Sequence, residues 1–209
     1  MNLTIFGATG KTGLHLVKQA LERNNQVTAF VRNPDILNLN NQKLQIIQGD
    51  IIDSEIVDRA VAQVDAVLSV LGPTENKPTY TVSKGTENIL HAMEKHQVKR
   101  LVISAGAGVS DPKDKPGFLD KIIQFLLKRF SRYVLEDMQQ TVEIVRNSDL
   151  EWTIVRVPML TDAPPTGEVK AGYIGGGIGP RVNRSDLASF MLDQLDDPTY
   201  VRQAPAISN

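Results

Sequence analysis

The 209-residue chain contains no cysteine, and its positive and negative charges almost cancel. The absence of cysteine excludes disulfides and thiolate chemistry. The net charge of −1 at pH 7 gives no reason to expect nucleic acid or an acidic membrane as a partner. No apolar run is long enough to span a bilayer, and Met1 directly precedes the first predicted strand. We therefore expect a cytoplasmic protein without a signal peptide or a membrane partner.

The chain also lacks a metal-ligand pattern, an internal repeat and an obvious linker. His91 and His96 stand apart from other ligand types, so we expect no metal site. A composition of 41% hydrophobic and 22% charged residues is ordinary for a globular protein. A chain of this length suffices for one α/β domain and leaves little for a separate substrate domain.

A glycine-rich stretch at Leu3–Gly13, with the sequence LTIFGATGKTG, carries the strongest signal. A short apolar run predicts a buried strand, glycines follow at positions 7, 10 and 13, and helical apolar spacing begins after Gly13. A tight turn between strand and helix aims backbone N–H groups and the helix N-terminus at an anion. Gly7 would permit the turn, Gly10 would leave room for a pyrophosphate, and Gly13 would let helix and strand approach closely. Further donors beside the phosphates are Thr9, Lys11 and Thr12.

The glycine spacing is G-x-x-G-x-x-G and not the G-x-G-x-x-G of standard dinucleotide folds, so a plain turn is the alternative. Its position between a strand and a helix favours dinucleotide binding. Strand and helix signals alternate onward through Val157, with the third strand predicted at Leu44–Gln48 and the fifth at Val98–Ser104. The helix after the third strand is expected to have Asp53 or Ser54 as its N-cap. We predict a single Rossmann domain over residues 1–209, with a doubly wound parallel sheet in the order 3-2-1-4-5-6. Substrate-side insertions would span about 106–132 and 159–184, and a last edge strand could lie at Val201–Ala206.

The motif GATGKTG resembles the NmrA-like branch of the atypical short-chain dehydrogenase/reductase superfamily. Within it, the length and order of motifs are similar to the NADPH-dependent flavin and biliverdin-IXβ reductases. The resemblance is carried by GATGKTGL at 7–14, VRNP at 31–34, QGDIID at 48–53 and RVNRSDLASFML at 181–192. It implies a single-domain reductase whose acceptor lies on the nicotinamide in an open cleft. Gly106 stands where that group presents a serine and Met159 where it can present a histidine, so the acceptor's identity stays open.

Arg32 ends the second predicted strand, and no acid lies between Gln26 and Asn33. An arginine at this place accommodates the 2′-phosphate of NADP, whereas an acid would bind the 2′-hydroxyl of NAD. We therefore predict NADP, with a simple surface arginine as the alternative. Further cofactor contacts are expected beyond the carboxyl ends of strands, at Asp50, Ile51, Leu71, Gly72, Ser104, Ala105 and Pro158. On the acceptor side we place Gly106, Phe118 and Met159.

No catalytic acid is evident. Tyr80 and Lys84 have the Tyr-x-x-x-Lys spacing of catalytic short-chain dehydrogenases, but they precede the fifth strand where that pair follows it. We interpret the spacing as coincidence. Ser104 is the possible catalytic residue, with a buried serine bonded to the backbone as the alternative. Hydride delivery to a flavin or a linear tetrapyrrole gives a delocalised anion that water can protonate, so a missing acid favours conjugated acceptors. Another small-molecule oxidoreductase, and a non-catalytic NADP-binding sensor or scaffold, remain alternatives.

A run of apolar residues at helical spacing follows the fifth strand. It consists of Leu119, Ile122, Ile123, Leu126, Leu127 and Phe130, with Lys121, Lys128, Arg129 and Arg132 around it. Such a helix would pack over the sheet or the active-site mouth, or alternatively lie on a membrane surface. Later in the chain, Ser185-Asp186 is the predicted cap of the last helix, and glycines within 167–179 indicate a hairpin or close turn. We expect a monomer.

Overall fold

The first strand, Asn2–Phe6, lies in the middle of the sheet because its apolar side chains are covered on both faces. In this computed structural model, residues 1–106, 108–118, 122, 125–126 and 129–209 are described. Eight strands form one sheet in the order β3-β2-β1-β4-β5-β6-β10-β8. In the described residues the strands are β1 Asn2–Phe6, β2 Gln26–Val31, β3 Leu44–Gln48, β4 Ala66–Ser69, β5 Arg100–Gly106, β6 Glu151–Val157, β7 Met159–Thr161, β8 Lys170–Gly172, β9 Arg181–Asn183 and β10 Ala206–Ser208. Strands β7 and β9 pair with each other in a separate two-stranded sheet. The predicted order 3-2-1-4-5-6 is confirmed.

Helices cover both faces of this sheet, as a doubly wound fold requires. The helices are α1 Lys11–Glu22, α2 Ser54–Val61, α3 Thr81–Lys95, α4 Arg132–Arg146 and α5 Arg184–Asp193. On one face α1 and α5 pack over Leu3 and Ile5, and on the other α2, α3 and α4 pack over Phe6 and Val67. Short 3-10 helices lie at Pro34–Ile36 and Pro198–Tyr200. Two apolar cores thus hold β1 and β4 from opposite sides.

The parallel strands place their carboxyl ends at one edge of the sheet. Phe6 pairs with Phe30 of β2 and with Ser69 of β4, and Ser69 pairs with Ile103 of β5. The chain leaves β1 toward α1 on one face and leaves β4 toward α3 on the other, so the strand order reverses between β1 and β4. A crevice forms at this switch point in open α/β sheets.

The fifth strand runs Arg100–Gly106, whereas Val98–Ser104 was predicted, so Ser104, Ala105 and Gly106 lie within it. The shift has its cause in the end of α3. Gln97 adopts a left-handed conformation with φ of 59°, and the Val98 amide donates to the Met93 carbonyl at 2.9 Å. Closing the helix in this way uses Val98 in a capping turn and delays the strand by two residues.

The carboxyl-terminal part of the chain differs from prediction in two respects. The last strand is β10, Ala206–Ser208, and not Val201–Ala206, and it lies inside the sheet because β8 pairs antiparallel along its outer side. The glycine-rich 167–179 stretch forms the close turn, in which the Gly176 amide donates to the Tyr173 carbonyl at 2.9 Å, and not the hairpin that was the other possibility. Asn183, not Ser185 or Asp186, caps α5, its side chain accepting from the Asp186 amide at 2.7 Å.

Within the described residues, no helix combines the length and apolarity that crossing a membrane would need.

Candidate functional site

The turn between β1 and α1 depends on two of its three glycines for steric reasons. Gly7 has φ of +79°, and a Cβ there would lie 2.9 Å from the Val70 carbonyl oxygen. A Cβ on Gly13 would lie 2.1 Å from the Gly7 carbonyl oxygen, because the first turn of α1 passes directly over that group. Any side chain at either position would force the backbone apart. The close approach of helix and strand is the one that the glycine spacing predicts.

Gly10 differs from these two, because the space beside it is open. A Cβ built there meets only the Gly7 carbonyl oxygen, at 3.3 Å. Gly10 is the N-cap residue of α1, and among the described residues no side chain accepts from the backbone amides of the helix's first turn. The other described helices each receive a side-chain cap, from Asp53 on α2, Asp137 on α3, Asn76 on α4 and Asn183 on α5. The N-terminus of α1 thus keeps donors for an anion.

A cleft of about 530 Å³ opens at the switch point of the sheet, above this turn. It runs from the end of β2 across the glycine turn to the exit of β4 and the start of α3. Eight of the predicted cofactor residues line it, namely Gly7, Thr9, Gly10, Arg32, Asp50, Ile51, Leu71 and Gly72. The volume is in the range of sites that hold small molecules and cofactors. Residues predicted from four separate stretches of sequence therefore come together around one cavity.

Arg32 and Asp50 mark the end of this cleft that lies beside β2 and β3. Arg32 is exposed, and its carbonyl accepts from the Gln48 side chain at 3.2 Å. Asp50 forms a turn in which its carboxylate accepts from the Ile52 amide at 3.1 Å, an ordinary structural role for an aspartate after a strand. It nevertheless lines the cleft, with the buried Ile51 beside it. One cationic side chain and an apolar surface thus lie together at this end.

Lys11, Thr12 and Gly13 do not line the cleft. The Lys11 ammonium bonds to the Asp162 carboxylate at 2.9 Å, and Arg184 bonds to the same carboxylate at 2.6 Å. The Lys11 hydrogen bond is the largest cause that lowers the Asp162 pKa below its ordinary value. Thr12 and Gly13 are buried in the first turn of α1. The backbone amides of this turn, and not the side chains of Lys11 and Thr12, are left as anion donors.

Ser104, Ala105 and Pro158, and the residues predicted for the acceptor side, also lie outside the lining of the cleft. Ser104 and Ala105 follow Ile103, which pairs with Ser69, so they lie beside the exit of β4. Pro158 follows β6, and Met159 begins β7 and is 55% exposed. Gly106 ends β5, and a Cβ there would meet nothing within 4 Å. Phe118 is exposed on the described part of the 118–130 stretch. These residues share the carboxyl edge of the sheet with the cleft.

Asp137 is a cleft residue that the sequence analysis missed. It lies on α4 and is 4% exposed, and its carboxylate accepts from the Val82 amide at 3.1 Å and the Ser83 amide at 2.8 Å. It thereby caps α3 from a neighbouring helix and compensates the positive end of that helix. No local pattern connects it with α3, because 55 residues separate Asp137 from Val82.

Arg156 and Asp114 form a second group that the sequence analysis missed. Arg156 on β6 is fully buried, and its guanidinium makes two bonds to Asp114, at 2.6 and 2.8 Å. Arg156 also donates to the Val109 carbonyl at 3.1 Å, while Asp114 accepts from the Ile174 amide at 3.0 Å. The pair therefore fixes the loop after β5 and the turn after β8 onto the carboxyl end of β6.

Tyr80 and Lys84 do not form a catalytic pair in this structure. The Tyr80 hydroxyl donates to the Glu136 carboxylate at 3.0 Å, and this hydrogen bond is the largest cause that raises the Tyr80 pKa. The Lys84 ammonium is exposed and donates to the Thr79 carbonyl at 3.2 Å. The helix that carries them precedes β5, as predicted. Tyr80 is therefore hydrogen-bonded to a residue of α4, and Lys84 is hydrogen-bonded to the turn before its own helix.

A family model described as NAD(P)H-binding matches residues 7–198. The chain belongs to this family. The match covers the glycine turn, the cleft and all five helices, in agreement with the predicted resemblance to NmrA-like short-chain dehydrogenase/reductases. Members are NAD(P)H-dependent oxidoreductases, and NAD(P) is the cofactor class of this fold.

Relatives of the NAD(P)H-binding protein include one of nearly equal length. This chain is 26% identical to the uncharacterized protein YwnB of Bacillus subtilis (strain 168), over 96% of this chain and 94% of YwnB. It is 31% identical to a 3 beta-hydroxysteroid dehydrogenase/Delta 5→4-isomerase of Mycobacterium tuberculosis, over 50% of this chain. The match spans only 31% of that longer enzyme.

Solved structures share the fold over the whole chain. A short-chain dehydrogenase/reductase of Veillonella parvula, crystallised with NADP, superposes with a TM-score of 0.82 at 19% identity and is covered to 94%. ChuY of Escherichia coli O157:H7, described as an anaerobillin reductase, superposes with a TM-score of 0.78 at 19% identity and is covered to 97%. Each covers 100% of this NAD(P)H-binding chain.

The residues of this NAD(P)H-binding protein fit a dinucleotide. The uncapped N-terminus of α1 and the open space beside Gly10 suit the pyrophosphate, because amide donors converge where a side chain would intrude. Ile51 offers an apolar surface and Arg32 a cation at the far end of the cleft. A bound dinucleotide would then have its adenosine half toward β2 and β3 and its nicotinamide half toward the exits of β4 and β5.

The Arg156–Asp114 pair predicts how stability changes with pH. Burial opposes ionisation of Asp114, but hydrogen bonds from Arg156 and the Asp111 amide outweigh it, so the Asp114 pKa lies below its ordinary 3.8. As the pH falls, the Asp114 carboxylate is therefore protonated at a higher pH in the unfolded chain than in the folded one. The stabilisation is complete above the unfolded pKa and is lost as the pH falls through the folded one. We expect the Tm difference between wild type and Asp114→Asn to shrink between about pH 6 and about pH 3; a constant difference would contradict this.

Proposed function

We propose that this protein is an NADPH-dependent reductase that delivers hydride to a flavin or a related conjugated acceptor such as biliverdin. One observation carries the proposal: the cofactor cleft is well formed, yet among the described residues no Tyr–Lys pair stands at its nicotinamide side. Tyr80 and Lys84, the one pair with the right spacing, are bound to Glu136 and to the Thr79 carbonyl. The reductase named among the structural neighbours agrees with this class of activity.

The absence of a positioned acid selects the kind of acceptor. When bound, NADPH supplies the hydride. Reduction of a simple ketone produces a basic alkoxide, which needs a proton from a positioned group. Reduction of a conjugated acceptor spreads the charge over the ring system, so solvent can protonate it later. The chain would then contribute orientation and exclusion of water, with Gly106, Phe118 and Met159 on the acceptor side and Ser104 beside the nicotinamide.

NADPH oxidation, measured against a panel of acceptors, tests the proposal. The panel contains FMN, FAD, biliverdin isomers, quinones and aldehydes, and we expect turnover with the conjugated members and little with aldehydes. Faster reduction of aldehydes than of flavins would contradict the proposed acceptor class. Tight NADPH binding without turnover of any acceptor would favour the alternative, a non-catalytic NADP-binding sensor or scaffold.

Arg32 should decide the preference for NADPH over NADH. We expect Arg32→Ala to weaken NADPH binding by about 1–3 kcal/mol, because the 2′-phosphate loses a charged hydrogen-bond partner. NADH binding should change little, since NADH carries no phosphate at that position. Fluorescence titration of both cofactors measures the two effects. An equal loss for both would show that Arg32 is structural, and a wild-type preference for NADH would overturn the NADP assignment.

Tyr80 and Lys84 should be dispensable for turnover. We expect Tyr80→Phe and Lys84→Ala to retain flavin-reductase kcat within about threefold, roughly 0.7 kcal/mol, because neither side chain serves as the acid. Ser104→Ala should lose at most about tenfold, roughly 1.4 kcal/mol, through positioning of the cofactor. The measurement is kcat at saturating NADPH. A loss of three orders of magnitude with Tyr80→Phe or Lys84→Ala alone would disprove protonation by solvent.

A further inference from the structure

Five large apolar side chains are exposed within thirteen residues of sequence. Phe118, Phe125 and Phe130 are 79%, 68% and 69% exposed. Ile122 and Leu126 are 40% and 45% exposed. These five residues, here named the apolar strip, contain half of the six phenylalanines of the chain. Single exposed apolar residues are ordinary, but a contiguous group of this size marks a contact surface.

The apolar strip has the geometry of one helical surface. Its five residues are each helical, and their intervals of four, three, one and four are the spacing of one broad side of a helix. None of them belongs to either apolar core. Leu119, Ile123 and Leu127, also predicted for this face, lie outside the described residues. The described members do not pack over the sheet, which was the first interpretation of this stretch.

The C-terminal end of the strip is fixed to the body of the protein. Asn76 donates to the Phe130 carbonyl at 2.8 Å and accepts from the Tyr133 and Val134 amides at 3.1 and 3.4 Å. Asn76 lies in the loop after β4, whose residues Thr74 and Glu75 line the cofactor cleft. The strip therefore projects from the cleft side of the molecule, and its exposed side chains are attached to an ordered anchor.

The charge of the surrounding sequence differs in sign from that of the remaining chain. Residues 118–132 contain four basic residues and one acidic residue, a net charge of +3, whereas the whole chain carries −1 and its remainder therefore −4. Among the described basic residues, Arg129 lies beside the Phe130 ring, with its guanidinium carbon 5.7 Å from the ring centre. Arg132 bonds to Glu136 at 2.7 Å. Arg129 thus shares the surface of the strip with an aromatic ring, while the charge of Arg132 is balanced by Glu136.

We propose that the apolar strip binds the surface of an anionic lipid bilayer. Exposed Phe, Ile and Leu side chains would enter the boundary between headgroups and acyl chains, while the basic side chains contact lipid phosphates. A second copy of the chain is a poorer occupant, because a two-fold contact through this strip would bring the two +3 segments together. The sequence analysis gave binding to a membrane surface as the alternative for this stretch. The proposal adopts that alternative and replaces the expectation that the protein has no membrane partner. It does not depend on the acceptor.

Co-sedimentation with vesicles tests this binding. The full chain is mixed with phosphatidylcholine vesicles that contain either no anionic lipid or about 30 mol% phosphatidylglycerol, at low salt and at about 0.5 M NaCl. We expect binding to the anionic vesicles only, and at least tenfold weaker binding at high salt. Phe125→Ser and Arg129→Glu should each reduce the partition coefficient by at least tenfold. Ile46→Ser is the matched control, because Ile46 is an exposed apolar residue on the edge strand β3, and it should bind like the wild type.

NADPH binding in solution serves as the folding control and should be the same for all four proteins. No sedimentation with anionic vesicles would overturn the proposal, as would equal binding to neutral vesicles. Loss of binding in the Ile46→Ser control to the same degree would also overturn it, since the strip would then not be the contact. If Phe125→Ser impairs turnover of a soluble acceptor while vesicle binding is absent, the strip covers the acceptor and not a bilayer.

Discussion

Replacement of Gly10 by valine is expected to weaken NADPH binding by at least about 100-fold, roughly 2.7 kcal/mol. The valine side chain would occupy the open space beside the first turn of α1, where the pyrophosphate has to approach the backbone amides. The fold should survive with some loss of stability, because a Cβ at Gly10 is tight against one atom, the Gly7 carbonyl oxygen at 3.3 Å, and the Gly10 φ of −69° is open to any residue. Isothermal titration with NADPH measures the loss, and thermal unfolding measures stability.

Two further variants separate steric exclusion of the pyrophosphate from a general effect of replacing a glycine. Gly10→Ala should lose less affinity than Gly10→Val, because it adds one carbon where valine adds three. Gly172→Ala is the control outside the cleft, since a Cβ at Gly172 is in ordinary contact with Ile178 at 3.7 Å. It should bind NADPH like the wild type. Undiminished binding by a folded Gly10→Val protein would show that the pyrophosphate does not lie on this turn.

Arg156→Met should destabilise the fold by about 3–5 kcal/mol, the cost of leaving a buried carboxylate without its partner. Arg156 is fully buried, and it makes both close contacts to Asp114 as well as bonds to two backbone carbonyls. Its loss would release the loop after β5 and the turn after β8 together, because Asp114 joins them. Urea unfolding measures the free energy, and limited proteolysis should show earlier cleavage within 108–117.

The double variant Arg156→Met with Asp114→Asn completes the cycle. It should be less destabilised than the two single changes would give by addition, because the neutral amide needs no cation. Lys18→Gln provides a surface comparison, since Lys18 and Glu22 are exposed and 3.9 Å apart. That change should cost less than about 0.5 kcal/mol. An Arg156→Met protein as stable as Lys18→Gln would show that the buried pair does not hold these segments.

The sequence alone determined the parts of this protein that local physics decides. The glycine turn was predictable because backbone conformation and steric space at Gly7 and Gly13 depend on a few neighbouring residues. The third strand, Leu44–Gln48, was predicted with the observed limits, and Asp53 was one of the two predicted caps of α2. The strand order was predictable because alternating strands and helices with right-handed crossovers leave few topologies.

The predicted boundaries of strands were less accurate where the same residues form a turn. Val98 is a β-branched residue of the kind common in strands. Its amide nevertheless closes the end of α3, so β5 begins at Arg100. The last strand was predicted at Val201–Ala206 but forms at Ala206–Ser208, and whether β10 is an edge depends on the pairing of β8 with it. Pairing between distant strands is decided by which edges remain open after the core has formed.

Contacts between distant residues were decided by the tertiary structure. Asp137 caps α3 from 55 residues away, Lys11 reaches Asp162 from 151 residues away, and Arg156 meets Asp114 across 42 residues. No periodicity or spacing records such pairs, because each forms only after two separately specified elements have packed. The exposure of Phe125 and Phe130 is of the same kind. Their apolar spacing predicts a helix face from local geometry alone, but which surface meets that face depends on where the rest of the chain has folded.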